Sequence, residues 1–157
     1  MPYHPAYWLM KSEPASFSFN DLVRSKKSTN YWNGVRNYQA RNYMREMRVG
    51  DRVLFYHSNC DEPGVIGLAE VARTAYPDHT QFDPADIHYD PKATRDKPIW
   101  DMVDLRAIKP LRNPVALDVL RKTNGLEKMV LLRRGNRLSV QPVSPKEWKI
   151  IVKMGGE

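Results

Sequence analysis

Hydrophobic and polar residues alternate along this chain of 157 residues with two periods, one of two and one near 3.6. A period of two is typical of a strand, whereas a period of 3.6 gives a helix one apolar face. The short apolar or alternating runs predict five strands, at 7–10, 51–58, 65–72, 99–108 and 137–142. The strand at 51–58 has apolar residues on both faces, so we expect it inside the sheet, in a hairpin with the strand at 65–72.

Helices are predicted where a capping residue precedes an apolar face. Ser18 followed by Asp21 predicts a short helix at 19–24, and Ser144 followed by Pro145 predicts a last helix that Gly155 ends. The longest helix is expected from residue 35 to residues 49–50. A short helix is also expected from 113–114 to before 124, and a helical turn at 126–132.

The remaining segments predict connections between these elements. Residues 25–30 are polar and predict a loop. Residues 76–98 have little periodicity and predict a long surface excursion that is partly a functional loop. Short strands interrupted by short helices favour an α+β fold in which helices cap a small, strongly bent sheet. We expect one domain over residues 5–155.

Charge and composition narrow the class of protein. The chain has 25 Lys and Arg against 18 Asp and Glu, a net charge of +7, and a pI near 9.6, which favours a nucleic-acid partner. One cysteine excludes an internal disulfide. No apolar run approaches the ~18 residues of a membrane span, so we expect a soluble intracellular protein, cytoplasmic or nuclear if eukaryotic.

The stretch at 31–42 carries the strongest candidate chemistry. Trp32 precedes the turn dipeptide Asn33-Gly34, which places an indole at a turn before the predicted helix. Arg41, Arg45 and Arg48 lie together beside the apolar stripe of that helix. An aromatic plane, a helix N-terminus and a basic stripe suit a nucleotide. Two plainer interpretations are a core tryptophan and a solvated arginine face.

The sequence resembles the EVE-domain family of the PUA-like superfamily, which includes the thymocyte nuclear proteins and is related to YTH domains. The resemblance covers nearly the whole chain. It rests on five segments in the family's order, at 7–14 (YWLMKSEP), 32–42 (WNGVRNYQARN), 50–59 (GDRVLFYHSN), 76–78 (YPD) and 138–143 (LSVQPV).

The resemblance implies a PUA-like pseudobarrel of five to six mostly antiparallel strands flanked by short helices. It also implies a pocket that holds a modified or flipped nucleobase of DNA or RNA. We further expect a monomer that needs no cofactor. The main elements of that pocket are Lys11, Ser12 and Trp32, with either Trp100 or Leu105 at a second aromatic position of the YTH cage. The other base-binding candidates are Gly34, Val35, Arg36, Asn37, Tyr56, His57, Ser58 and Asn59. Arg41, Arg45 and Arg48 would hold the flanking phosphates.

Two other functions stay open from the sequence. Lys11, Ser12 and Glu70 could meet in one pocket and act as an amidohydrolase on a modified nucleoside, as in the PUA-like ASCH group. A metal site is the third option, although its spacing matches no compact ligand motif. Its candidate ligands are Asp78, His79, Asp83, Asp86, His88 and Asp90.

Overall fold

The computed structural model describes residues 4–157. In this part of the chain there are six strands and four α-helices. The strands are β1 (Tyr7–Ser12), β2 (Thr29–Trp32), β3 (Arg52–His57), β4 (Gly64–Pro77), β5 (Asp101–Ala116) and β6 (Val140–Val143). The helices are α1 (Phe19–Arg24), α2 (Tyr38–Glu46), α3 (Leu117–Arg121) and α4 (Pro145–Met154), with 3₁₀ turns at Lys26–Ser28, His79–Phe82 and Val130–Leu132.

The strands form one mixed sheet in the order β2-β5-β4-β3-β1-β6. Only the β1–β3 pair is parallel among the described strands, and the other pairs are antiparallel. The α+β fold with a mostly antiparallel sheet is therefore confirmed. No helix within residues 4–157 is both long and apolar enough to span a bilayer.

Both faces of the sheet are covered by apolar residues, because alternate residues of β3 face different layers. Val53 and Phe55 belong to one buried cluster, with residues of α1 and α2. Leu54 and Tyr56 belong to a second cluster, with residues of α3 and α4. The prediction that this strand is internal and buried on both faces is confirmed.

The sheet curves around the first cluster. Trp32 on one edge strand and Val140 on the other edge strand both belong to this cluster, together with Met44 of α2. Edge strands of a flat six-stranded sheet would be too far apart to share a core, since neighbouring strands lie about 4.8 Å apart. This curvature agrees with the predicted pseudobarrel.

The capping residues predicted for the first and last helices are confirmed. Ser18 and Asp21 form the capping box of α1, and Ser144 and Glu147 form that of α4. The main helix begins later and ends earlier than predicted, at Tyr38–Glu46, with Asn37 as its N-cap.

Two predictions about local structure were wrong. Residues 25–30 were expected to be a loop, but Thr29 and Asn30 begin β2, whose pairing with β5 stabilises a strand of mixed polarity. The helix expected from Asn113-Pro114 is instead part of β5, and α3 begins only at Leu117. The Asn113 N–H donates to the Gly155 carbonyl at 3.0 Å, so contact with the end of α4 holds this segment extended.

Candidate functional site

A cavity of about 640 Å³ opens where β1 and β2 end. Pockets for small ligands typically measure about 300–1,000 Å³, so this one has room for a nucleobase. Five of the predicted base-binding residues line it, namely Lys11, Ser12, Trp32, Gly34 and Val35. The other lining residues are Glu13, Ser16, Phe17, Asn30, Tyr31, Asn33, Ile87, His88 and Ser139.

Trp32 is both a wall of the cavity and part of the core. Its side chain is only 7% exposed, and its ring meets the Phe55 ring edge-on, with centroids 5.3 Å apart and planes at 80°. Phe17 meets it in the same way at 6.4 Å. The indole is therefore held rigidly by its neighbours. The interpretation as a core tryptophan is confirmed, and contact with a base stays a prediction.

The end of β1 is tied to three other segments, two of which line the cavity. The Ser12 hydroxyl donates to the Phe17 carbonyl at 2.6 Å. The Lys11 N–H donates to the Ser139 carbonyl at 2.8 Å, and the Ser58 N–H donates to the Ser12 carbonyl at 3.0 Å. These bonds fix the position of the Lys11-Ser12 backbone, as recognition of a planar ligand requires.

The Lys11 side chain is directed away from Trp32. Its ammonium lies 5.8 Å from the centroid of the Tyr56 ring, which belongs to the second cluster. Burial lowers the pKa of Lys11 from its ordinary value, because the charged form loses water. Burial also raises the pKa of Tyr56 to about 12, so its phenol stays neutral under this ammonium.

The turn after Trp32 is fixed by a fully buried carboxylate. Asp78 accepts hydrogen bonds from the Gly34 N–H at 2.8 Å and from the Arg36 guanidinium at 3.0 Å. The Thr80 N–H and hydroxyl donate to its other oxygen, at 2.8 and 2.5 Å. Burial by itself raises the pKa of Asp78, but the hydrogen bonds from Thr80, Gly34 and Arg36 outweigh it and hold the pKa below its usual range.

Residues 76–98 are therefore not simply a surface excursion. Asp78, Thr80 and Gln81 are buried, and Gln81 binds the backbone at Ile99 and Trp100. The buried polar residues of this segment hold its outer part, 83–90, against the turn at 33–37.

His88 forms the contact between these two loops. The Arg36 side chain donates to the His88 carbonyl at 2.9 Å. Gly34 has φ of +84°, and a Cβ placed there would lie 2.9 Å from the His88 ring. Only glycine allows both this conformation and this approach, which explains the need for the Asn33-Gly34 dipeptide.

The predicted residues Arg36 and Asn37 do not line the cavity; they support it. Arg36 joins Asp78, Thr80 and His88 as described, and the Asn37 side chain caps α2 by accepting from the Ala40 N–H at 2.9 Å. Arg36 and Asn37 therefore hold the cavity wall at Gly34 in place and do not themselves face the cavity.

The predicted segment Tyr56 to Asn59 also lies outside the cavity lining. Tyr56 is in the second cluster, and the His57 Nε2 accepts from the Phe19 N–H at 3.1 Å, which fixes the start of α1. The Asn59 amide donates to Glu13 at 3.2 Å. The Ser58 N–H donates to the Ser12 carbonyl. This segment therefore contacts residues that line the cavity, on the side away from the cavity.

Neither candidate for a second cage aromatic lies in the cavity. Leu105 is completely buried in the first cluster. The Trp100 ring lies against the Tyr38 ring, with centroids 4.8 Å apart and planes tilted by 33°. The Trp100 indole N–H donates to Asp90 at 2.8 Å. The aromatic side chains that do line the cavity with Trp32 are Phe17 and Tyr31.

The three arginines of the predicted stripe are engaged with the protein to different degrees. Arg41 and Arg45 lie on α2, whereas Arg48 follows the end of this helix. The Arg41 guanidinium donates to the Ile99 carbonyl at 2.9 Å and lies over the Tyr38 ring. Arg45 pairs with Asp101 at 2.5 Å, and Arg48 is exposed. A second basic surface, the loop 133–137, was missed in the sequence. Arg133, Arg134 and Arg137 are exposed on it, two residues before the cavity-lining Ser139.

Sequence reasoning missed nine of the lining residues, for two reasons. Some lie within or beside the family motifs, and the correct strand bounds would have identified them; these are Tyr31, Asn33 and Ser139. Ile87 and His88 lie in the segment without periodicity, and no local pattern connects that segment with Trp32.

The amidohydrolase grouping is contradicted by the register of the sheet. Ser12 lies opposite His57, whereas Glu70 lies opposite Arg52, five residues away along β3 and about 16 Å distant. Glu70 pairs there with Arg52 at 2.8 Å and also with Arg106. Lys11, Ser12 and Glu70 thus do not share a pocket.

The metal-site alternative has no geometric support either. Among residues 4–157 no three His, Cys, Asp or Glu side chains lie close enough together to hold a metal ion. Its candidate ligands serve the loop instead, since Asp78 is bonded to the turn at 34–36 and Asp86 accepts from the His88 N–H.

Comparison with protein families agrees with this architecture. The profile of the EVE domain matches residues 6–154. The chain belongs to the EVE domain family. Thymocyte nuclear protein 1 of Rattus norvegicus is 43% identical over 164 residues, which cover 94% of this EVE domain chain and 73% of the rat protein.

Solved structures show the same fold. The crystal structure of the human THYN1 protein in complex with 5-methylcytosine containing DNA matches with a TM-score of 0.91 and 41% identity, over 97% of this chain and 98% of that one. The YTH domain of Zygosaccharomyces rouxii matches with a TM-score of 0.53 and 16% identity, over 98% and 88% of the two chains, which shows a shared fold only. The predicted resemblance to the EVE domain, and through it to YTH domains, is confirmed.

Proposed function

We propose that this EVE domain is a reader of nucleic acid that holds a modified base, a cytosine or an adenine, in the cavity beside Trp32. The observation that carries the proposal is a cavity of about 640 Å³, large enough for a nucleobase, with Trp32, Phe17 and Tyr31 in its wall. Its support from outside the chain is the human THYN1 relative, whose structure was solved with 5-methylcytosine containing DNA.

The energetics of such a site are balanced. Turning a base out of its stack costs a few kcal/mol, and one aromatic contact contributes about 1–3 kcal/mol. Trp32 is held by Phe55 and Phe17, so it would lose little entropy on binding. Ser12, Asn33 and Lys11 would supply hydrogen bonds to the base edge, the last through its backbone.

The remaining predicted residues enter the proposal as supports rather than contacts. Arg36 and Asn37 position the turn that carries Gly34 and Val35. Tyr56 to Asn59 hold the end of β1 from behind, while Trp100 and Leu105 belong to the packing around the site. Removal of any of them would act through the shape of the cavity.

Two basic surfaces are proposed to hold the phosphates. The first is the stripe formed by Arg41 and Arg45 on α2 and by Arg48 just after its end. The second is the loop 133–137, where, among the described residues, the three arginine side chains form no ion pair or hydrogen bond. An arginine without an internal partner can bind phosphate without breaking another contact.

The proposal is tested by titrating the domain with matched oligonucleotides, as single and double strands of DNA and RNA. Each is prepared with unmodified, methylated, oxidised or acylated cytosine, or with methylated adenine. Binding is followed by tryptophan fluorescence, and each oligonucleotide is weighed afterwards by mass spectrometry. We expect selective quenching by one modification with intact oligonucleotides.

Two results would contradict the proposal. Equal affinity for all oligonucleotides would leave only charge-driven binding, and loss of an acyl group would indicate an amidohydrolase. The choice between DNA and RNA, the monomeric state and the cellular location are predictions; the name of the rat relative, a nuclear protein, supports a nuclear location if the source is eukaryotic.

A further inference from the structure

Ile87 is the most exposed large hydrophobic residue in the described part of the chain, at 91%. Single exposed apolar residues are common and by themselves indicate nothing. Ile87 differs from the others in its position, because it lines the cavity next to His88, whose ring approaches Gly34. An apolar side chain is thus presented to solvent at the mouth of the proposed base pocket.

The loop that carries Ile87 is built from consecutive tight turns. The Asp86 N–H donates to the Asp83 carbonyl and the Tyr89 N–H donates to the Asp86 carbonyl, each at 3.0 Å. The Asp86 carboxylate accepts from the His88 N–H at 2.8 Å. Ile87 is therefore at the tip of a turn closed on both sides by hydrogen bonds.

The same loop is anchored to the cavity wall. Arg36 binds the His88 carbonyl, and the Asp90 N–H donates to the Gln81 carbonyl at 3.0 Å. Gln81 is fully buried. The position of Ile87 relative to Trp32 is thus set by the fold on both sides of the loop.

We propose that Ile87 is a wedge that enters a double helix at the place left by the flipped base, so that the target of this domain is a duplex. The inference rests on the proposed base-binding function and names the form of nucleic acid that this function uses. Extruding a base leaves an apolar gap between its neighbours, and proteins that deform duplexes insert Ile, Leu, Met or Phe between base steps. A single strand has no such gap, because its bases can separate freely.

The aspartates of the loop do not argue against this role. Asp83, Asp86 and Asp90 each accept from an N–H two residues further on, so they are needed for the turns that raise Ile87. Asp90 also accepts from the Trp100 indole N–H. The net charge of +7 supplies the general attraction for the duplex.

The test compares Ile87→Ala with the wild-type domain on two probes, a 5-methylcytosine DNA duplex and its methylated strand alone. We expect Ile87→Ala to weaken duplex binding about five- to tenfold, because most of the buried apolar surface of the wedge is lost. Binding to the single strand should change by less than about twofold. Ile87→Leu, which keeps the apolar volume, should bind both probes as the wild type does.

Val119→Ala is the matched control, since Val119 is 50% exposed and lies on α3, on the side of the second cluster. It should leave both affinities unchanged. Equal loss on both probes in Ile87→Ala would overturn the wedge, since Ile87 would then touch the bound base itself. No loss on the duplex would overturn it as well.

Failure of the wedge can be told apart from failure of the proposed function. A wild-type domain that prefers the methylated single strand but does not bind the duplex would keep the function and overturn the wedge. A wild-type domain without preference for the methylated base in either form would overturn both.

Discussion

The Arg36 guanidinium lies 3.0 Å from the carboxylate of Asp78, which is completely buried. Arg36 follows the turn at Asn33-Gly34, and Asp78 begins the segment that carries Ile87 and His88. This ion pair thus joins two segments that are distant in the sequence into one cavity wall. Breaking it should affect both stability and binding.

We expect Asp78→Asn to lower the free energy of unfolding by about 2–3 kcal/mol, because Arg36 would keep its charge without a charged partner. The loss of stability should be smaller than for an ion pair that is fully buried, since the Arg36 side chain is 21% exposed. Urea denaturation measures the change. Asp96→Asn, at an exposed site, is the control and should stay within about 0.5 kcal/mol of the wild type. A loss below about 1 kcal/mol in Asp78→Asn would show that the pair does not hold the loops.

Trp32→Ala should lower the free energy of unfolding by about 3–5 kcal/mol, because the indole is a core residue. It should weaken binding as well. The sequence alone predicts an intact fold for this variant. Trp32→Phe separates the two effects: we expect a stability loss of only about 1–2 kcal/mol but at least about a tenfold loss of affinity for the methylated oligonucleotide.

Trp148→Phe provides the comparison for Trp32→Phe. Trp148 stacks on Tyr7 with centroids 4.6 Å apart, beside the second cluster and away from the cavity. The Trp148→Phe variant should be less stable than the wild type but should bind the methylated oligonucleotide with the same affinity. If both variants lost affinity equally, Trp32 would act only through the fold.

His57 makes the stability of the domain depend on pH. Burial lowers the pKa of His57, and its Nε2 accepts from the Phe19 N–H, which an imidazolium cannot do. In the unfolded chain the histidine takes up a proton below about pH 6.5, before the folded protein does. The stabilisation is therefore complete above that pH and is lost as the pH falls towards the lowered pKa.

Urea midpoints measured between about pH 8 and pH 5 test this prediction. We expect the urea midpoint of the wild type to decrease as the pH is lowered below about 6.5. In His57→Gln, whose amide oxygen can accept the same hydrogen bond, the decrease should be smaller. Identical pH profiles for the two proteins would mean that another group causes the loss.

The salt dependence of binding should distinguish the two arginine surfaces. Each phosphate contact contributes about 0.9 to the slope of log K against log salt for duplex DNA. We expect replacement of Arg133, Arg134 and Arg137 by Gln to reduce the slope by about 2. Replacement of Arg41 and Arg45 should reduce it by less than about 1, because the guanidiniums are already bound to Ile99 and Asp101.

Lys149→Gln on α4 controls for the change in net charge and should leave the slope nearly unchanged. Both arginine variants should lower the affinity for oligonucleotides of every sequence to the same extent, since phosphates carry no sequence information. An unchanged slope in the triple variant would remove the loop 133–137 from the interface.

The sequence by itself determined the features that depend on neighbouring residues. Ser18 with Asp21 and Ser144 with Glu147 cap their helices because the cap bonds span only three residues. The alternation of β3 showed a strand buried on both faces. Family motifs located Lys11, Ser12, Trp32, Gly34 and Val35, which the structure brings together in one cavity.

Only the tertiary structure decided which other residues share that cavity and what each one does. Glu70 was separated from Lys11 and Ser12 by the sheet register, which no local pattern encodes. Ile87 and His88 reached the cavity because the buried Asp78 binds a turn more than forty residues earlier in the chain. Contacts at such separations depend on how complementary surfaces meet after folding, so the sequence supplies the groups and the fold selects their partners.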